Sequence, residues 1–438
     1  MSKSLFAVEE HVLDGQHIRE YPGATITPDA SIKLAVKKYI PLNNHNPQPG
    51  DVTVIGTHGA GFPKELYEPL WEELLVRSEK DGYRIRAIWI ADSAHQGASG
   101  VLNESVIGND PSWFDHSRDL LHMVNHFRND MPRPIIGVGH STGATQLIFL
   151  SLIHARLLTS LAMIEPYLIG KERHTQGLGT LASAIQRKDT WPSRSVADKH
   201  FRKAFRVWDP AVLDRWTQYG LRDLPTVLHP EIKINTASSG RHNPPVTLTT
   251  TKHQEAFFYT RANFNQHREL GAVYADDANN DPRPPHDPLF VPDMVGPLHP
   301  GQKFYRPEPV LAFALLPHLR PDVLVLSAAG SALFRSGIHD AAVKIIGTRF
   351  SGSGGLKYGH VRHEVVQKAG HTLPMEKIAE TAALVGPWVG GKLRKWNEEQ
   401  KWIAAVEVKP VISEKWIAEL KARAASEKSL VGKKLSKL

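Results

Sequence analysis

Short apolar runs alternate with amphipathic segments along the first third of the chain. The runs that predict β-strands are residues 32–40, 52–56, 83–91, 134–138 and 161–164. The segments with a helical spacing of apolar positions are residues 66–78, 112–128 and 142–157. Strands that alternate with helices of this length are typical of a mostly parallel sheet with helices on both faces.

This alternation breaks off between residues 167 and 320. The interrupting segment holds a basic helical stretch at 187–206 and a proline-rich stretch at 281–292, which should be irregular. The alternation then returns, with predicted strands at 322–327 and 363–367 and predicted helices at 379–395 and 413–430. We therefore predict one α/β domain built from residues 1–166 and 321–438, with a cap, or lid, inserted at residues 167–320.

Composition excludes several classes of protein. The 438 residues are 41% hydrophobic and 22% charged, as in ordinary globular proteins. Cysteine is absent, which excludes a disulfide framework, a thiolate metal site and a cysteine nucleophile. The formal net charge of +8 is mild for this length and suits anionic small molecules better than nucleic acid.

Membrane, metal and cofactor signals are also missing from the sequence. The most apolar stretch, residues 147–164, is interrupted by His154 and Arg156, so no transmembrane segment is expected. His363-Glu364 is not followed by the second histidine of a zinc motif, and neither a phosphate-binding loop nor a dinucleotide fingerprint occurs. We expect no metal and no cofactor.

The motif with the most direct chemical meaning is Gly139-His140-Ser141-Thr142-Gly143. It follows the predicted strand 134–138 and begins the predicted helix 142–157. Its two glycines permit the sharp strand-to-helix turn that exposes a serine hydroxyl beside the positive end of a helix. The motif predicts Ser141 as a nucleophile; the alternative is a serine that only caps the helix.

Acyl transfer from such a serine also needs two N–H donors for the oxyanion. One is the amide of the residue after the nucleophile, Thr142. The other is expected from the glycine-rich loop after strand 52–56, where Ala60, Gly61 and Phe62 are the candidates.

The general base should follow the last strand, and His371 in Ala369-Gly370-His371-Thr372 has this position. The alternative bases, His360 and His363, lie before or within that predicted strand. The orienting acid of such sites usually follows the penultimate strand, but residues 328–334 contain no carboxylate. The predicted strand 161–164 ends instead at Glu165, whose side chain can reach the same space. We predict Glu165 as the acid, with Asp340 or a triad lacking an acid as alternatives.

These features resemble the α/β-hydrolase superfamily, in which serine, acid and histidine follow in this order. A narrower likeness is to fungal peroxisomal α/β-hydrolases of secondary metabolism, which act in mycophenolic acid and host-selective toxin pathways. It rests on the segments 61–69, 139–141 and 164–166 and on the terminal Ser436-Lys437-Leu438. In the mycophenolic acid enzyme the acid is an aspartate, one methylene shorter than Glu165. The Gly61-Phe62-Pro63 turn resembles the oxyanion turn of the fold, which favours the amide of Phe62.

The resemblance implies hydrolysis of an acyl-CoA thioester to a free carboxylic acid and CoA. CoA carries several phosphate charges, and the basic stretch of the cap is a plausible place for them. The side chains expected to contact substrate are His58, His140, Arg187, Lys188, Arg202, Arg206, Phe257 and Phe258. Two other functions stay open: a carboxylesterase or lactonase that uses the same triad, and a non-catalytic binding protein on a hydrolase fold.

The C-terminal residues Ser436, Lys437 and Leu438 form the tripeptide that the peroxisomal import receptor recognises. We therefore expect a peroxisomal location and that receptor as a partner. The amphipathic helix predicted at 413–430 could pack on the body of the protein or form a homodimer contact.

Overall fold

A computed structural model describes residues 5–170, 178–231, 244–262, 304–406 and 413–435. The chain forms two compact units, Met1–Leu393 and Arg394–Leu438. The strands are β1 (Phe6–Asp14), β2 (Lys33–Pro41), β3 (Val52–Thr57), β4 (Ile85–Ala91), β5 (Ile135–His140), β6 (Ser160–Ile164), β7 (Thr190–Trp191), β8 (Leu221–Asp223), β9 (Val246–Leu248), β10 (Arg261–Ala262), β11 (Phe304–Tyr305), β12 (Asp322–Ala328) and β13 (Val361–Val366).

The helices are α1 (Glu68–Ser78), α2 (Gly97–Leu102), α3 (Trp113–His126), α4 (Thr142–Ile153), α5 (Leu178–Gln186), α6 (Arg194–Ala204), α7 (Pro210–Tyr219), α8 (Lys252–Tyr259), α9 (Glu308–Leu315), α10 (Ala332–Arg335), α11 (Ile338–Ile345), α12 (Leu373–Glu376), α13 (Ile378–Ala405) and α14 (Glu414–Leu435). None of the helices in these described stretches is long and apolar enough to cross a membrane.

The main sheet has eight strands in the order β1-β2-β4-β3-β5-β6-β12-β13. The six strands from β4 to β13 in this order run parallel, while β2 is antiparallel to β4 and β1 is antiparallel to β2. This is the α/β-hydrolase fold, so the predicted fold class is confirmed. The carboxyl ends of β5, β6 and β13 lie at one edge of the sheet, where parallel α/β sheets hold their sites.

Both faces of the sheet are buried, because side chains alternate between two apolar cores. On β4, Ile88 and Ile90 enter one core, and Ala87, Trp89 and Ala91 enter the other. The first core is covered by α1 and α13, and the second by α3, α4 and α11. Burial on both sides explains why the inner strands appear in the sequence as nearly continuous apolar runs.

Within the described residues between β6 and β12, no strand joins the main sheet. The strands there form an antiparallel set in the order β7-β9-β8 and the pair β10-β11. The basic stretch predicted at 187–206 is helical only in α6. The proline-rich residues 281–292 lie outside the described residues, and the cap boundaries 167 and 320 stay a prediction.

The sequence pattern missed the edge strand β1. Most of its side chains are exposed and only Phe6 and Leu13 are buried, so the segment lacks an apolar alternation. Its pairing with β2 along nine residues, not its own hydrophobicity, holds it in the sheet. Helix α4 also ends at Ile153, earlier than the predicted residue 157.

Candidate active site

Ser141 occupies the sharp turn between β5 and α4. Its backbone has φ 54° and ψ −121°, a conformation that non-glycine residues adopt rarely and mostly at functional turns. The flanking glycines are required by space. A Cβ at Gly139 would lie 2.8 Å from the Cα of Ala144, and a Cβ at Gly143 would lie 2.6 Å from the carbonyl oxygen of His58. The Gly-x-Ser-x-Gly pattern thus holds the Ser141 hydroxyl at the N-terminus of α4.

Three side chains form a continuous line of hydrogen bonds beside this turn. The hydroxyl of Ser141 lies 2.9 Å from Nε2 of His371, and Nδ1 of His371 lies 3.0 Å from Oε2 of Glu165. A carboxylate only accepts hydrogen bonds, so Nδ1 carries the hydrogen and donates it to Glu165. Nε2 is therefore the acceptor that faces the serine hydroxyl, which is the geometry of a nucleophile, a base and an orienting acid.

The backbone of two strands holds Glu165 in place. Glu165 is fully buried, and its amide donates to the carbonyl of Leu326 at 2.7 Å. Its Oε1 accepts from the amide of Ala328 at 2.6 Å. Strand β12 ends without an acid of its own, yet it supplies the amide that orients the acid at the end of β6.

The alternative acid and bases lie in other contacts. Asp340 is more than half exposed and lies 3.4 Å from Nδ1 of His363. His360 pairs with Asp322, and Nε2 of His363 lies 2.9 Å from Oγ of Ser327. None of these three residues hydrogen-bonds or ion-pairs with Ser141 or His371 in the described structure.

The loop that carries His371 is fixed on both sides by Glu376. Its carboxylate accepts from the amide of Gly370 at 2.8 Å and from the hydroxyl of Thr372 at 2.6 Å. Trp208, from the segment between α6 and α7, donates its indole N–H to Oγ1 of Thr372 at 3.0 Å. The sequence suggested Trp208 only as a candidate lining of the acyl pocket or as cap core, and it gave Glu376 no role, because their contacts with the His371 loop depend on how distant segments pack.

The candidate oxyanion amides differ in what they already bind. Thr142 is the first residue of α4, where an amide has no acceptor within the helix. In the glycine-rich loop, Gly61 donates to Oε1 of Gln96 at 2.8 Å, and Phe62 donates to the carbonyl of Gly59 at 3.2 Å. The amide of the third candidate, Ala60, has no hydrogen-bond partner among the described residues. The amide of Phe62, which the sequence favoured as the second donor, is therefore already hydrogen-bonded within the loop.

His58 and His140 use their ring nitrogens within the protein. His58 is buried, accepts at Nε2 from the amide of Ser93 at 2.9 Å, and has Nδ1 2.9 Å from the carbonyl of Gly59. His140 is fully buried, with Nδ1 2.8 Å from the hydroxyl of Tyr67 and Nε2 2.8 Å from the carbonyl oxygen of His371. Burial lowers the pKa of His58, and it lowers the pKa of His140 to about 3, so both rings are neutral. Neither ring keeps a polar atom for the substrate contact expected from sequence.

Two of the predicted basic contacts are already neutralised by carboxylates of the same chain. Arg187 makes a bidentate ion pair with Glu255, with N–O distances of 2.6 and 3.0 Å. Arg202 bonds to the carboxylates of Asp198 and Asp214. Arg187 and Arg202 were predicted to bind phosphates. In the structure both side chains are already paired with carboxylates, so binding a phosphate would require breaking these ion pairs.

Other basic side chains in the same stretch have no carboxylate partner. Lys188 lies 6.0 Å from the ring centre of Trp191. Three exposed residues have neither an ion pair nor a hydrogen bond to another described residue: Lys199, Lys203 and Arg206. Because Arg206 lies two residues before Trp208, these cations are attached to the segment that contacts the His371 loop.

The two phenylalanines have different positions. Phe258 is buried and stacks on Trp113 with ring centres 5.6 Å apart, so it belongs to the core and not to an open acyl pocket. Phe257 is half-buried, and its carbonyl accepts a hydrogen bond from Arg306. Of the two, only Phe257 keeps an accessible side chain.

Helix α8 brings a carboxylate to the glycine-rich loop that holds Gly61, which the sequence did not indicate. The carboxyl carbon of Glu255 would lie 2.9 Å from a Cβ built on Gly61. Gly61 has φ 80°, and both facts favour glycine at this position. The ion pair with Arg187 compensates the charge of Glu255 beside the glycine-rich loop.

No metal centre accompanies this arrangement in the described stretches. No three histidine, aspartate or glutamate side chains there lie close enough together to hold a metal ion. Ser141, His371 and Glu165 have the geometry for nucleophilic attack and proton transfer.

The chain is similar to proteins of known family. No family model matches it. It is 39% identical to the type I acyl-CoA thioesterase mpaH′ of Penicillium brevicompactum over 437 residues, covering 96% of each chain. It is also 39% identical to mpaH of Penicillium roqueforti, over 92% of this chain and 93% of that one.

Two more distant similarities were also found. The abhydrolase domain-containing protein AFT2-1 of Alternaria alternata is 25% identical over 59% of this chain and 84% of its own. The peroxisomal α/β-hydrolase Lpx1 of Saccharomyces cerevisiae superposes with a TM-score of 0.65 over 98% of both chains at 14% identity, which shows the fold alone. Since the identity to the Penicillium proteins extends over nearly the whole of both chains, this protein belongs to the family of the type I acyl-CoA thioesterases mpaH and mpaH′ and is an α/β-hydrolase-fold hydrolase.

Proposed function

We propose that the protein is a serine-dependent acyl-CoA thioesterase that releases a free carboxylic acid and CoA. The observation that carries the proposal is the line of hydrogen bonds from Ser141 through His371 to Glu165. Similarity to thioesterases over nearly the whole chain supports the choice of a CoA thioester as substrate.

The first half-reaction transfers the acyl group to the enzyme. The hydroxyl oxygen of Ser141 attacks the thioester carbonyl, and its proton passes to Nε2 of His371. Glu165 stabilises the imidazolium that results. The tetrahedral intermediate then collapses, the carbon–sulfur bond breaks, and the CoA sulfur leaves with the proton from Nε2.

The second half-reaction restores the serine. A water molecule gives a proton to Nε2 of His371 while its oxygen attacks the acyl-enzyme carbonyl. When this intermediate collapses, the bond to Ser141 breaks and the serine oxygen recovers the proton. The products are one carboxylic acid and one CoA for each water consumed.

The amide of Ala60 is proposed as the second oxyanion donor, together with that of Thr142. Gly61 and Phe62 donate to Gln96 and Gly59, so an oxyanion would have to break an existing bond to use either. A donor that is free in the resting enzyme needs no such reorganisation, and preorganised donors are the ones that accelerate acyl transfer.

Lys199, Lys203 and Arg206 are the proposed contacts for the CoA phosphates. Lys199 and Lys203 are four residues apart on α6, so they share one face of the helix, and Arg206 follows in the turn after it. Unpaired cations can bind phosphate without first breaking an ion pair. The bond from Trp208 to Thr372 attaches this face to the loop of the base.

The experiment that tests the function is CoA release from a panel of acyl-CoAs, followed with a thiol reagent. The protein has no cysteine, so the reagent reports only the product. We expect release to be lost in Ser141→Ala and to be much slower with the matching methyl esters. Turnover of esters without CoA release would indicate the carboxylesterase or lactonase. A failure of a fluorophosphonate to label Ser141 would indicate the binding protein.

Peroxisomal import and self-association stay proposals. Ser436, Lys437 and Leu438 lie outside the described residues, and their import role is tested by following the full chain and a chain lacking them in cells. A homodimer through α14 is suggested by Trp416 and Leu420, of which half or more is exposed. Light scattering on the full chain distinguishes a dimer from a monomer.

A further inference from the structure

A second line of hydrogen bonds lies behind the proposed catalytic groups. The amide nitrogen of Gly59 lies 2.8 Å from the hydroxyl of Tyr67, and this hydroxyl lies 2.8 Å from Nδ1 of His140. Nε2 of His140 lies 2.8 Å from the backbone carbonyl oxygen of His371. This second line of hydrogen bonds therefore connects Gly59 in the glycine-rich loop to the backbone of the proposed base, His371.

Elementary hydrogen-bonding rules fix the direction of every bond in this line. The carbonyl of His371 only accepts, so Nε2 of His140 carries a hydrogen. Burial lowers the pKa of His140 to about 3, so the ring is neutral and its Nδ1 has no hydrogen. Nδ1 must then accept from the hydroxyl of Tyr67, whose oxygen in turn accepts from the amide of Gly59.

We propose that Tyr67 and His140 are positioning residues that set the distance between the oxyanion donor on the glycine-rich loop and the base His371. Gly59 directly precedes Ala60, so fixing its amide fixes the neighbouring donor. The carbonyl of His371 belongs to the residue whose ring takes the proton. This inference rests on the proposed function, because it assigns a task to residues that support that chemistry.

The packing around the line leaves little freedom for it to relax. Tyr67 is 2% exposed and His140 is fully buried. Phe62 lies parallel to the ring of His140, with centres 6.0 Å apart and planes 5° apart. Removing one member leaves a buried donor or acceptor unpaired, which neighbouring groups and water can only partly satisfy.

The proposed positioning role requires the ring of His140 to stay neutral. Its ring centre lies 5.4 Å from that of His371, which becomes positively charged in each half-reaction. A second charge at this distance would oppose protonation of the base. A protonated His140 would also carry hydrogen on both nitrogens, and the bond from Tyr67 would be lost.

The first test compares two tyrosine variants in the full chain. Tyr67→Phe removes the hydroxyl that joins Gly59 to His140. Tyr39→Phe is the matched control, because Tyr39 is also 2% exposed and its hydroxyl donates to Glu68 at 3.0 Å outside this line. We expect both variants to lower Tm similarly. We expect only Tyr67→Phe to lower kcat for acyl-CoA, by about 10- to 100-fold, with KM nearly unchanged.

The second test separates the two bonds of His140. In His140→Gln the side-chain amide N–H lies where Nε2 was and can still donate to the carbonyl of His371. In His140→Asn the side-chain oxygen lies near the position of Nδ1 and can accept from Tyr67, but nothing reaches His371. We expect the Gln variant to retain several-fold more kcat than the Asn variant at similar KM.

The outcomes distinguish this inference from the proposed function. Full activity in Ser141→Ala would overturn the function itself. An inactive Ser141→Ala together with unchanged kcat in Tyr67→Phe would overturn only the positioning role. If Tyr67→Phe does not fold, the comparison of the two His140 variants decides: equal kcat values in both would overturn the role, and a higher kcat in the Gln variant would support it.

Discussion

Replacing Glu165 by glutamine tests the proposed triad with the smallest change of shape. In the native protein both carboxylate oxygens accept, one from Nδ1 of His371 at 3.0 Å and one from the amide of Ala328 at 2.6 Å. Glutamine has one oxygen and one NH₂ group. The amide of Ala328 can only donate, so it will take the oxygen and turn the NH₂ group toward His371.

The consequence follows from the tautomer of His371. An NH₂ group beside Nδ1 makes that nitrogen an acceptor, so the hydrogen moves to Nε2. Nε2 then faces Ser141 with a hydrogen of its own and cannot take the serine proton. The corresponding aspartate-to-asparagine change in serine proteases lowers kcat by about 10⁴-fold, or about 5.4 kcal/mol of transition-state stabilisation. The side chain of His371 is 37% exposed, which lets water partly reset the ring, so we expect a loss of about 10³- to 10⁴-fold.

The assay is kcat for CoA release from a good acyl-CoA substrate, with Tm as the control for folding. Glu165→Asp is the matched variant, because it keeps the charge and shortens the reach by one methylene. We expect Glu165→Asp to lose about 10- to 100-fold, since a charge without ideal geometry still favours the correct tautomer. A Glu165→Gln enzyme within about 10-fold of the native kcat, or more active than Glu165→Asp, would refute this reasoning.

Two further predictions concern substrate charge and pH. Changing Lys203 and Arg206 together to glutamine should raise KM for acyl-CoA about 10-fold and weaken the salt dependence of this KM, with no effect on KM for methyl esters. The control is Arg202→Gln, which should change KM for acyl-CoA less, because the charge of Arg202 is already paired. Equal changes of KM in the two variants would contradict the proposed phosphate site. Burial lowers the pKa of three histidines to about 3: His95, His116 and His140. Because these histidines bind protons only in the unfolded chain between pH 6.5 and about 3, the free energy of unfolding should fall as pH falls through this window, by about 1.4 kcal/mol per pH unit for each. Asp115, whose pKa burial raises to about 7, offsets one of them, so Tm measured from pH 7.5 to 5 should still decrease, and a constant or rising Tm would contradict this reasoning.

The parts of the structure that the sequence predicts are those set by local pattern. The inner strands are apolar because both of their faces are buried, and the turn at Ser141 needs glycines on either side because no Cβ fits there. The choice of Glu165 as the acid rests on the residues that follow two strands and on the parallel arrangement predicted for the sheet. No carboxylate directly follows strand β12, whereas its parallel neighbour β6 is followed at once by Glu165.

The parts that the sequence does not predict depend on partners far away along the chain. Which amide of the glycine-rich loop is free depends on Gln96, whose side chain takes the amide of Gly61. Whether Arg187 can meet a phosphate depends on Glu255, 68 residues later, which neutralises it. A basic stretch in a sequence indicates charge but not whether the charge is available. For Arg187 the answer depends on the carboxylate that α8 supplies, and for Arg202 on the carboxylates of α6 and α7.

Burial assigns different tasks to histidines that look alike in the sequence. A base must alternate between neutral and protonated forms, so it needs a compensating charge and contact with solvent. His371 has both, with a buried carboxylate at Nδ1 and a partly exposed ring. A histidine that holds a fixed pattern of donors and acceptors must never take a second proton, and complete burial of His140 meets this need. The two ring centres lie 5.4 Å apart, and the difference in their surroundings is what separates the proposed base, which would move protons, from the proposed positioning residue, which would hold the loops in place.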